Sequence, residues 1–130
     1  MKFLLDTDSV SFALRGHGDV GTRIRERRPS ELCISAITLA ELRFGADRKG
    51  SRRLHSLIDT FAAAVEVVPF DEAAAAEFGR IGSILAEHGT PIGEFDVLIA
   101  AHAVALRCVL VSNNTRHFSR VPGLALQNWT

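Results

Sequence analysis

Short apolar runs alternate with longer helical stretches along this chain, and this alternation constrains the fold more than any other feature. The runs are each long enough only for a strand and cover residues 2–5, 31–35, 65–68, 108–111 and 124–129. Strands that alternate with helices are typical of α/β proteins, in which helices cover a mostly parallel sheet. We therefore expect an α/β fold with a mostly parallel central sheet, formed by one domain over residues 1–130.

Six helices are predicted from the spacing of apolar residues and from capping residues. They cover residues 9–15, 20–28, 36–46, 50–64, 71–88 and 94–107. Ser35 and Asp71 are suitable N-caps, whereas Pro29 and Gly89 mark helix ends. The helix over 94–107 is apolar on nearly every side, so we expect it to be a central one.

Charge and cysteine content exclude several classes of protein. The 15 basic and 15 acidic residues give a formal net charge of zero, so no overall positive field attracts this chain to nucleic acid. Cys33 and Cys108 lie in apolar runs without the spacing of a zinc site, so we expect buried free thiols in a reducing compartment. The first apolar run is broken by Asp6, which argues against a signal peptide or membrane span and favours a cytosolic protein.

Polar residues directly follow two of the predicted strands. Asp6 comes after the first strand, and the segment that contains Asn114 comes after the strand over 108–111. If these strands are parallel, both lie at the carboxyl edge of the sheet, where α/β proteins bind their ligands. The alternative for Asp6 is that it only caps the next helix.

Glu41 and Asp96 are acidic residues with apolar neighbours on predicted helices. Glu41 shares a helix face with Ile37 and Phe44, and a carboxylate beside an apolar stripe is costly unless it is paired or bound to a metal. An arginine partner is the alternative explanation. Asp96 projects among apolar residues in the first turn of its helix, where interaction with the helix dipole is the alternative.

Together, Asp6, Glu41 and Asp96 indicate a metal site. Three inward carboxylates without a counter-charge repel one another, whereas a hard divalent cation such as Mg²⁺ prefers oxygen ligands and supplies that charge. A Mg²⁺ site with open water positions suits hydrolysis of a phosphodiester. No serine or cysteine has an evident base beside it in the sequence, so covalent catalysis is not supported.

Four segments resemble, in order, the successive motifs of PIN-domain toxins of the VapC type. They are LLDTD (4–8), ISAITLAELRFG (34–45), PIGEFDVLIAAHA (91–103) and LVSNNTRHF (110–118). The resemblance covers essentially the whole chain. It implies a three-layer α/β/α fold and a Mg²⁺- or Mn²⁺-dependent endoribonuclease that acts as the toxin of a bacterial toxin–antitoxin pair. Asp6, Glu41 and Asp96 match the three acidic catalytic and metal-binding positions of the family.

The resemblance also implies a homodimer and a small cognate antitoxin that inserts a segment near the acidic pocket. Family members with a similar Asn-Asn-Thr-Arg motif include enzymes that cut the anticodon stem-loop of the initiator tRNA, so tRNA is a candidate substrate. Many members have a fourth acid in this region, whereas this chain has Asn114 and His117 there. Asn114 can orient a water but supplies no charge, so we expect one firmly held ion. His117 is a candidate proton shuttle or else a surface residue.

Two other functions fit parts of the sequence. Residues 4–10 also resemble the first motif of haloacid-dehalogenase-type phosphatases, in which Asp6 would be the nucleophile and Asp8 the general acid. The later lysine and paired acids of that family are not evident here. The second alternative is a PIN-like module that binds RNA or protein without cutting it, although three inward acids argue against a retired site.

Two clusters of basic residues are candidate contacts to RNA. One comprises Arg23, Arg25, Arg27 and Arg28, and the other comprises Arg48, Lys49, Arg52 and Arg53. Basic side chains position RNA through its phosphates without reading its sequence, although a solvated helix face is the default explanation for such a cluster. Because the second cluster closely follows the helix of Glu41, Arg52 and Arg53 are the preferred substrate-binding candidates.

Overall fold

The computed structural model describes residues 2–130 and contains five strands and seven α-helices within that range. In chain order these are β1 (Phe3–Leu5), α1 (Thr7–Arg15), α2 (Val20–Arg25), β2 (Leu32–Ser35), α3 (Ala36–Lys49), α4 (Arg52–Ala64), β3 (Glu66–Val68), α5 (Glu72–Glu87), α6 (Glu94–Leu106), β4 (Val109–Val111), α7 (Thr115–Phe118) and β5 (Leu126–Gln127). A 3₁₀ turn at Pro29–Glu31 precedes β2. No helix in this part of the chain is long and apolar enough to cross a membrane.

The strands form one sheet in the order β3-β2-β1-β4-β5, and every neighbouring pair is parallel. β1 is central, and all three of its residues are buried. Leu5 pairs with Val111, so β1 and β4 end at the same level. The predicted parallel α/β sheet is therefore confirmed, and the residues that follow β1 and β4 lie side by side at its carboxyl edge.

Side chains that alternate along the strands fill two apolar layers, one on each face of the sheet. Leu4 belongs to a layer completed by Ile81 of α5 and Ile99 of α6. Phe3 and Leu5 belong to the opposite layer, to which α1, α3 and α4 contribute Val10, Leu42 and Ile58. Burial on both faces stabilises a parallel sheet, at about 25 cal/mol per Å² of apolar surface. The expected three-layer α/β/α arrangement is present.

The helix α6 is central, as its apolar sequence predicts. Ala100, Ala101 and Ala103 are fully buried, and so is the side chain of His102. Their layer is shared with α5 and with the strands, so α6 holds its first turn firmly above the carboxyl edge of the sheet. Asp96 lies in that turn.

Two helices end three residues away from their predicted ends, each for a local reason. α2 stops at Arg25 rather than at residue 28, because Arg28 precedes Pro29 and is extended, with ψ of 139°. α3 continues past its predicted end at residue 46 as far as Lys49. The helix ends there because Gly50 adopts the left-handed conformation, with φ of 60°.

The C-terminal segment departs furthest from the prediction. The last strand is confined to Leu126–Gln127 instead of 124–129. Trp129 turns into the core, where its ring packs 5.1 Å from that of Phe3 and only 1% of the residue is exposed. The short helix α7 was not predicted at all, although it buries Phe118 and presents the segment around Asn114.

The face of α3 that packs on the core is also different from the predicted one. The buried residues of this helix are Thr38, Leu42 and Ala46, whereas Phe44 is 69% exposed. Apolar residues occur on several sides of α3, so their spacing does not single out the buried face. Glu41 consequently lies at the margin of the core and not within an inward apolar stripe.

Candidate active site

Asp6 lies at the carboxyl edge of the sheet, immediately after β1. Its backbone N–H donates a hydrogen bond to the Val111 carbonyl across 3.0 Å, and its Oδ1 accepts one from the Ser9 backbone N–H across 2.8 Å. Asp6 therefore caps α1, as the alternative explanation proposed, while the rest of the carboxylate faces the edge of the sheet. Burial raises the pKa of Asp6 to about 6, opposed in part by hydrogen bonds from Ser112 and Ser9.

Glu41 is half-buried in the middle of α3 and is held by a hydroxyl group. Thr7 Oγ1 donates a hydrogen bond to Glu41 Oε1 across 2.6 Å. Within residues 2–130 no arginine pairs with Glu41; the nearby Arg43 pairs with Asp59 instead. Burial raises the pKa of Glu41, the Thr7 hydrogen bond opposes this shift, and the negative charge of Asp96 adds to it.

Asp96 lies in the first turn of α6, and its polar neighbours come from the segment after β4. Asn114 Nδ2 donates a hydrogen bond to Asp96 Oδ2 across 3.3 Å, and His117 Nδ1 is 3.7 Å from the same oxygen. Burial raises the pKa of Asp96, and the hydrogen bond and charge of His117 oppose that shift. Besides its place in the first turn, Asp96 has specific partners on a separate element.

The three predicted acids meet in one small cavity. Asp6, Glu41 and Asp96 line a space of about 70 Å³ together with Thr7, Asp8 and Ile99. None of these lining residues is basic, so the negative charge in the cavity has no counter-charge among them. The sequence predicted this grouping because three inward carboxylates need a shared counter-charge, but it did not include Asp8 among the site residues.

The donor set fits a hard divalent cation through few direct ligands. Within residues 2–130, no three side chains of His, Cys, Asp or Glu are grouped closely enough to enclose an ion by themselves. Mg²⁺ does not require such a cage, because it keeps several waters and commonly takes one or two carboxylates. Carboxylates whose pKa values are raised by burial are the groups that a cation would stabilise in their charged form.

Arg52 and Arg53, the predicted substrate-binding residues, are not part of this cavity. Arg53 lines a separate depression of about 230 Å³ with Arg15, at the C-terminal end of α1. The nine residues of α1 place that end about 12 Å along the helix from the Asp6 end. Arg52 is exposed at the start of α4.

Three residues beside the cavity were missed by sequence reasoning. Thr7, Phe44 and Phe95 line an adjoining space of about 510 Å³ together with Ala40 and Glu41. The available signal was position: Thr7 directly follows one acid, Phe95 directly precedes another, and Phe44 is about one helical turn beyond Glu41.

Comparison with known proteins places this geometry in a family. The sequence profile of the PIN domain family matches residues 3–124. The tRNA(fMet)-specific endonuclease VapC of Salmonella typhimurium is 38% identical over 133 residues, which cover 99% of this chain and 98% of that protein. Ribonuclease VapC2 of Rickettsia felis is 34% identical over 132 residues, which cover 99% and 98% of the two chains.

Solved structures agree over the full length. The DNA-bound VapBC structure from Salmonella typhimurium contains a chain that is 36% identical and superposes with a TM-score of 0.93, covering 100% of this chain and 99% of that one. The corresponding values for VapBC2 from Rickettsia felis, bound to a DNA fragment from its promoter, are 33% and 0.92, with 100% of both chains covered.

The match decides between the two enzyme families that the N-terminal motif resembles. A haloacid-dehalogenase-type site needs a lysine, whereas the residues that line the carboxylate cavity include none. The family profile spans almost the whole chain, and relatives more than 30% identical match it from end to end. The chain therefore belongs to the PIN domain family and, within that family, to the VapC proteins.

Proposed function

We propose that this chain is an endoribonuclease that hydrolyses RNA phosphodiester bonds with the help of a divalent ion. The ion would be Mg²⁺, and Mn²⁺ could replace it. The observation that carries the proposal is that Asp6, Glu41 and Asp96, from three separate parts of the chain, line one cavity at the carboxyl edge of the sheet. The names of the relatives, which are ribonucleases, support the same reaction class.

The ion would be held by Asp6, Glu41 and Asp96, directly or through water, and would neutralise phosphate charge and activate a water molecule. The protein contributes by holding these acids in place. Thr7 fixes one oxygen of Glu41, and Asn114 fixes one oxygen of Asp96. Reaction at a phosphodiester depends mainly on such positioning and on electrostatic stabilisation.

His117 is a candidate for proton transfer at the same site. Its Nδ1 lies 3.1 Å from Asn114 Nδ2 and 3.7 Å from Asp96 Oδ2, so the imidazole is beside the carboxylate and remains partly exposed. An imidazole in this place could pass a proton to or from the reacting groups. Asn114 would then serve as the positioning residue that keeps His117 and Asp96 together.

The hydroxyl groups near the cavity are engaged in hydrogen bonds, and that of Thr7 donates to Glu41. Ser9 is buried and donates its hydroxyl hydrogen bond to the Val111 carbonyl across 3.1 Å. Ser35 is buried at the end of β2, and its Oγ lies 2.8 Å from His102 Nδ1. We therefore propose direct attack by water on the phosphodiester, without a covalent enzyme intermediate.

We also propose that the chain acts as the toxin of a toxin–antitoxin pair. Its structural relatives were solved as VapBC complexes, which supports a small cognate antitoxin as a partner. Because one relative at 38% identity is named a tRNA(fMet)-specific endonuclease, tRNA is the preferred substrate. Residues 1–130 would form a single nuclease domain and assemble as a homodimer.

The decisive experiment is to incubate the purified protein with total cellular RNA, with and without Mg²⁺, and to map new RNA ends by sequencing. We expect discrete new ends in tRNA that require Mg²⁺ and are absent with Asp6→Ala. The variant must show a cooperative thermal unfolding transition, so that the loss of cleavage is not due to misfolding. Identical ends from the wild type and from a folded Asp6→Ala variant would contradict the nuclease.

A further inference from the structure

Two phenylalanine side chains are exposed beside the carboxylate cavity. Among residues 2–130, three large apolar side chains are exposed: Phe44 at 69%, Phe95 at 55% and Leu106 at 36%. Two of these three line the same space, which Leu106 does not. Exposed aromatic surface grouped in this way is typical of a binding site.

The aromatic space adjoins the proposed catalytic site. Thr7 and Glu41 line both the aromatic space of about 510 Å³ and the carboxylate cavity of about 70 Å³. Each phenylalanine also lies close in sequence to an acid: Phe95 precedes Asp96 on α6, and Phe44 follows Glu41 by three residues on α3. A group bound between the rings would therefore lie next to a phosphodiester at the carboxylates.

We propose that Phe44 and Phe95 form a stacking site for one unpaired nucleobase of the RNA substrate. This inference rests on the proposed function, which it deepens by specifying the substrate class. Proteins that bind single-stranded RNA stack its bases on aromatic side chains, and every base has a face that can stack. In a duplex the bases are already stacked and paired, so the site selects loops, bulges or single strands.

The position of this space favours a base of the RNA substrate as its occupant. Two phenyl rings and the small side chains of Thr7 and Ala40 line it beside Glu41. A substrate whose phosphate lies at Asp6 and Asp96 must also place its adjoining nucleoside nearby. The rings lie on the two helices that carry Glu41 and Asp96, where such a nucleoside would be held.

The test is to bind a hairpin RNA with 2-aminopurine in its unpaired loop to the metal-free protein in EDTA, which prevents cleavage. Stacking quenches the fluorescence of this base analogue. We expect the wild type to quench it, and Phe44→Ala and Phe95→Ala each to weaken binding about tenfold, within the roughly 5- to 150-fold range for base–aromatic stacking. The same sequence annealed to its complement should give no quenching.

Matched variants separate stacking from general apolar contact. Phe44→Trp and Phe95→Trp keep an aromatic face and should retain the quenching, whereas Phe44→Leu and Phe95→Leu keep apolar surface only and should lose it. Leu106→Ala, at the exposed residue away from this space, should bind like the wild type. Because all three positions are exposed, thermal unfolding should change little.

The inference is overturned if leucine supports binding as well as phenylalanine, which would instead indicate a docking face for a protein. Unchanged binding after Phe44→Ala together with Phe95→Ala also overturns it, as does equal quenching with the duplex.

A parallel cleavage assay in Mg²⁺ distinguishes this inference from the proposed function. Quenching by a wild type that cuts no RNA contradicts the nuclease but supports the stacking site. Cleavage that is equal in the wild type and the alanine variants contradicts the stacking site alone. A wild type that neither binds nor cuts RNA contradicts both.

Discussion

Asn114 donates a hydrogen bond from Nδ2 to Oδ2 of Asp96 across 3.3 Å, which joins the segment after β4 to the first turn of α6. The bond places a neutral amide beside a carboxylate whose pKa is already raised by burial. Asp96 is thereby oriented without a further negative charge in the cavity. The site therefore has one negative charge fewer than it would have with an acid at residue 114.

Replacing Asn114 with aspartate should increase the affinity of the site for divalent ions. In Asn114→Asp a second carboxylate lies beside Asp96, so the two acids repel each other unless a cation binds between them. We expect Mn²⁺ to bind about tenfold more tightly in isothermal titration calorimetry, which corresponds to about 1.4 kcal/mol. The metal-free variant should unfold at a lower temperature than the wild type at pH 7.

Asn114→Ala is the control for this prediction, because it removes the hydrogen bond without adding charge. It should bind Mn²⁺ no more tightly than the wild type and should cut RNA more slowly. Equal Mn²⁺ affinities for Asn114→Asp and Asn114→Ala would show that charge at this position does not act on the site.

Removing the hydroxyl of Thr7 should shift the pH dependence of cleavage. The hydrogen bond from Thr7 Oγ1 stabilises the ionised form of Glu41, so Thr7→Val should raise the pKa of Glu41 further above its ordinary value. We therefore expect the acid limb of the pH–rate profile to move to higher pH. Thr7→Ser retains the donor and should keep the wild-type profile. If the Thr7→Val profile is the same as that of the wild type, Glu41 is not the group whose ionisation sets the acid limb.

Binding of Mg²⁺ or Mn²⁺ should stabilise the folded protein, and Asp96→Asn should abolish most of this gain. An ion at a hundredfold excess over its Kd stabilises the native state by about 2.7 kcal/mol if it does not bind the unfolded chain. Differential scanning calorimetry with and without the ion measures the effect. Glu87→Gln, which removes an exposed carboxylate on α5, should retain the full gain. If the wild type shows no ion-dependent shift, a module that binds without cutting becomes the better explanation.

The buried carboxylate of Asp6 should make the metal-free protein less stable as pH rises. Its pKa rises from an ordinary 3.8 to about 6 in the folded state, so between these values the folded state binds more protons than the unfolded state. Stability is therefore highest below about pH 4 as far as this group is concerned, and it falls until about pH 6. The ionised group costs roughly 3 kcal/mol at neutral pH.

Asp6→Asn tests this cost directly, because asparagine can still accept the capping hydrogen bond from Ser9. In EDTA, we expect the variant and the wild type to be equally stable near pH 3.5. By pH 7 the variant should be more stable by up to about 3 kcal/mol in urea unfolding. A stability difference that does not change with pH would mean that Asp6 is not the titrating group.

The parts of the fold that could be predicted are those with strong local signals. Ser35 accepts a hydrogen bond from the Ile37 N–H, and Asp71 accepts one from the Ala74 N–H, so both predicted caps begin helices. The predicted buried free thiols, Cys33 and Cys108, are also present. Asp6 could be placed because it directly follows an apolar strand, and such a position lies at the carboxyl edge of a parallel sheet, where ligands bind.

The parts that could not be predicted depend on contacts between distant segments. Thr7 holds Glu41 across 34 positions in sequence, and Asn114 holds Asp96 across 18, so neither pair has a local signal. The four-residue helix α7 is too short to produce a periodic pattern. The exposure of Phe44 follows from how α3 packs on the sheet, which its own residues do not specify.

Arg52 and Arg53 lie apart from the carboxylates, so replacing them should affect RNA binding and not the cleavage step. Both are exposed, and Arg53 lines a depression at the C-terminal end of α1, about 12 Å along that helix from the Asp6 end. An RNA that is cut at the cavity could reach them only with a flanking phosphate. Replacing both with alanine should therefore weaken RNA binding and reduce the slope of log K against log salt by about 1.4, since each phosphate contact to a single strand contributes about 0.7.

Cleavage at saturating RNA should not change, because the acids are untouched. Arg52→Lys with Arg53→Lys keeps both charges and should retain the wild-type slope. A slope that is the same for the alanine and lysine pairs would exclude this surface from the RNA path and direct attention to the cluster around Arg23 and Arg25.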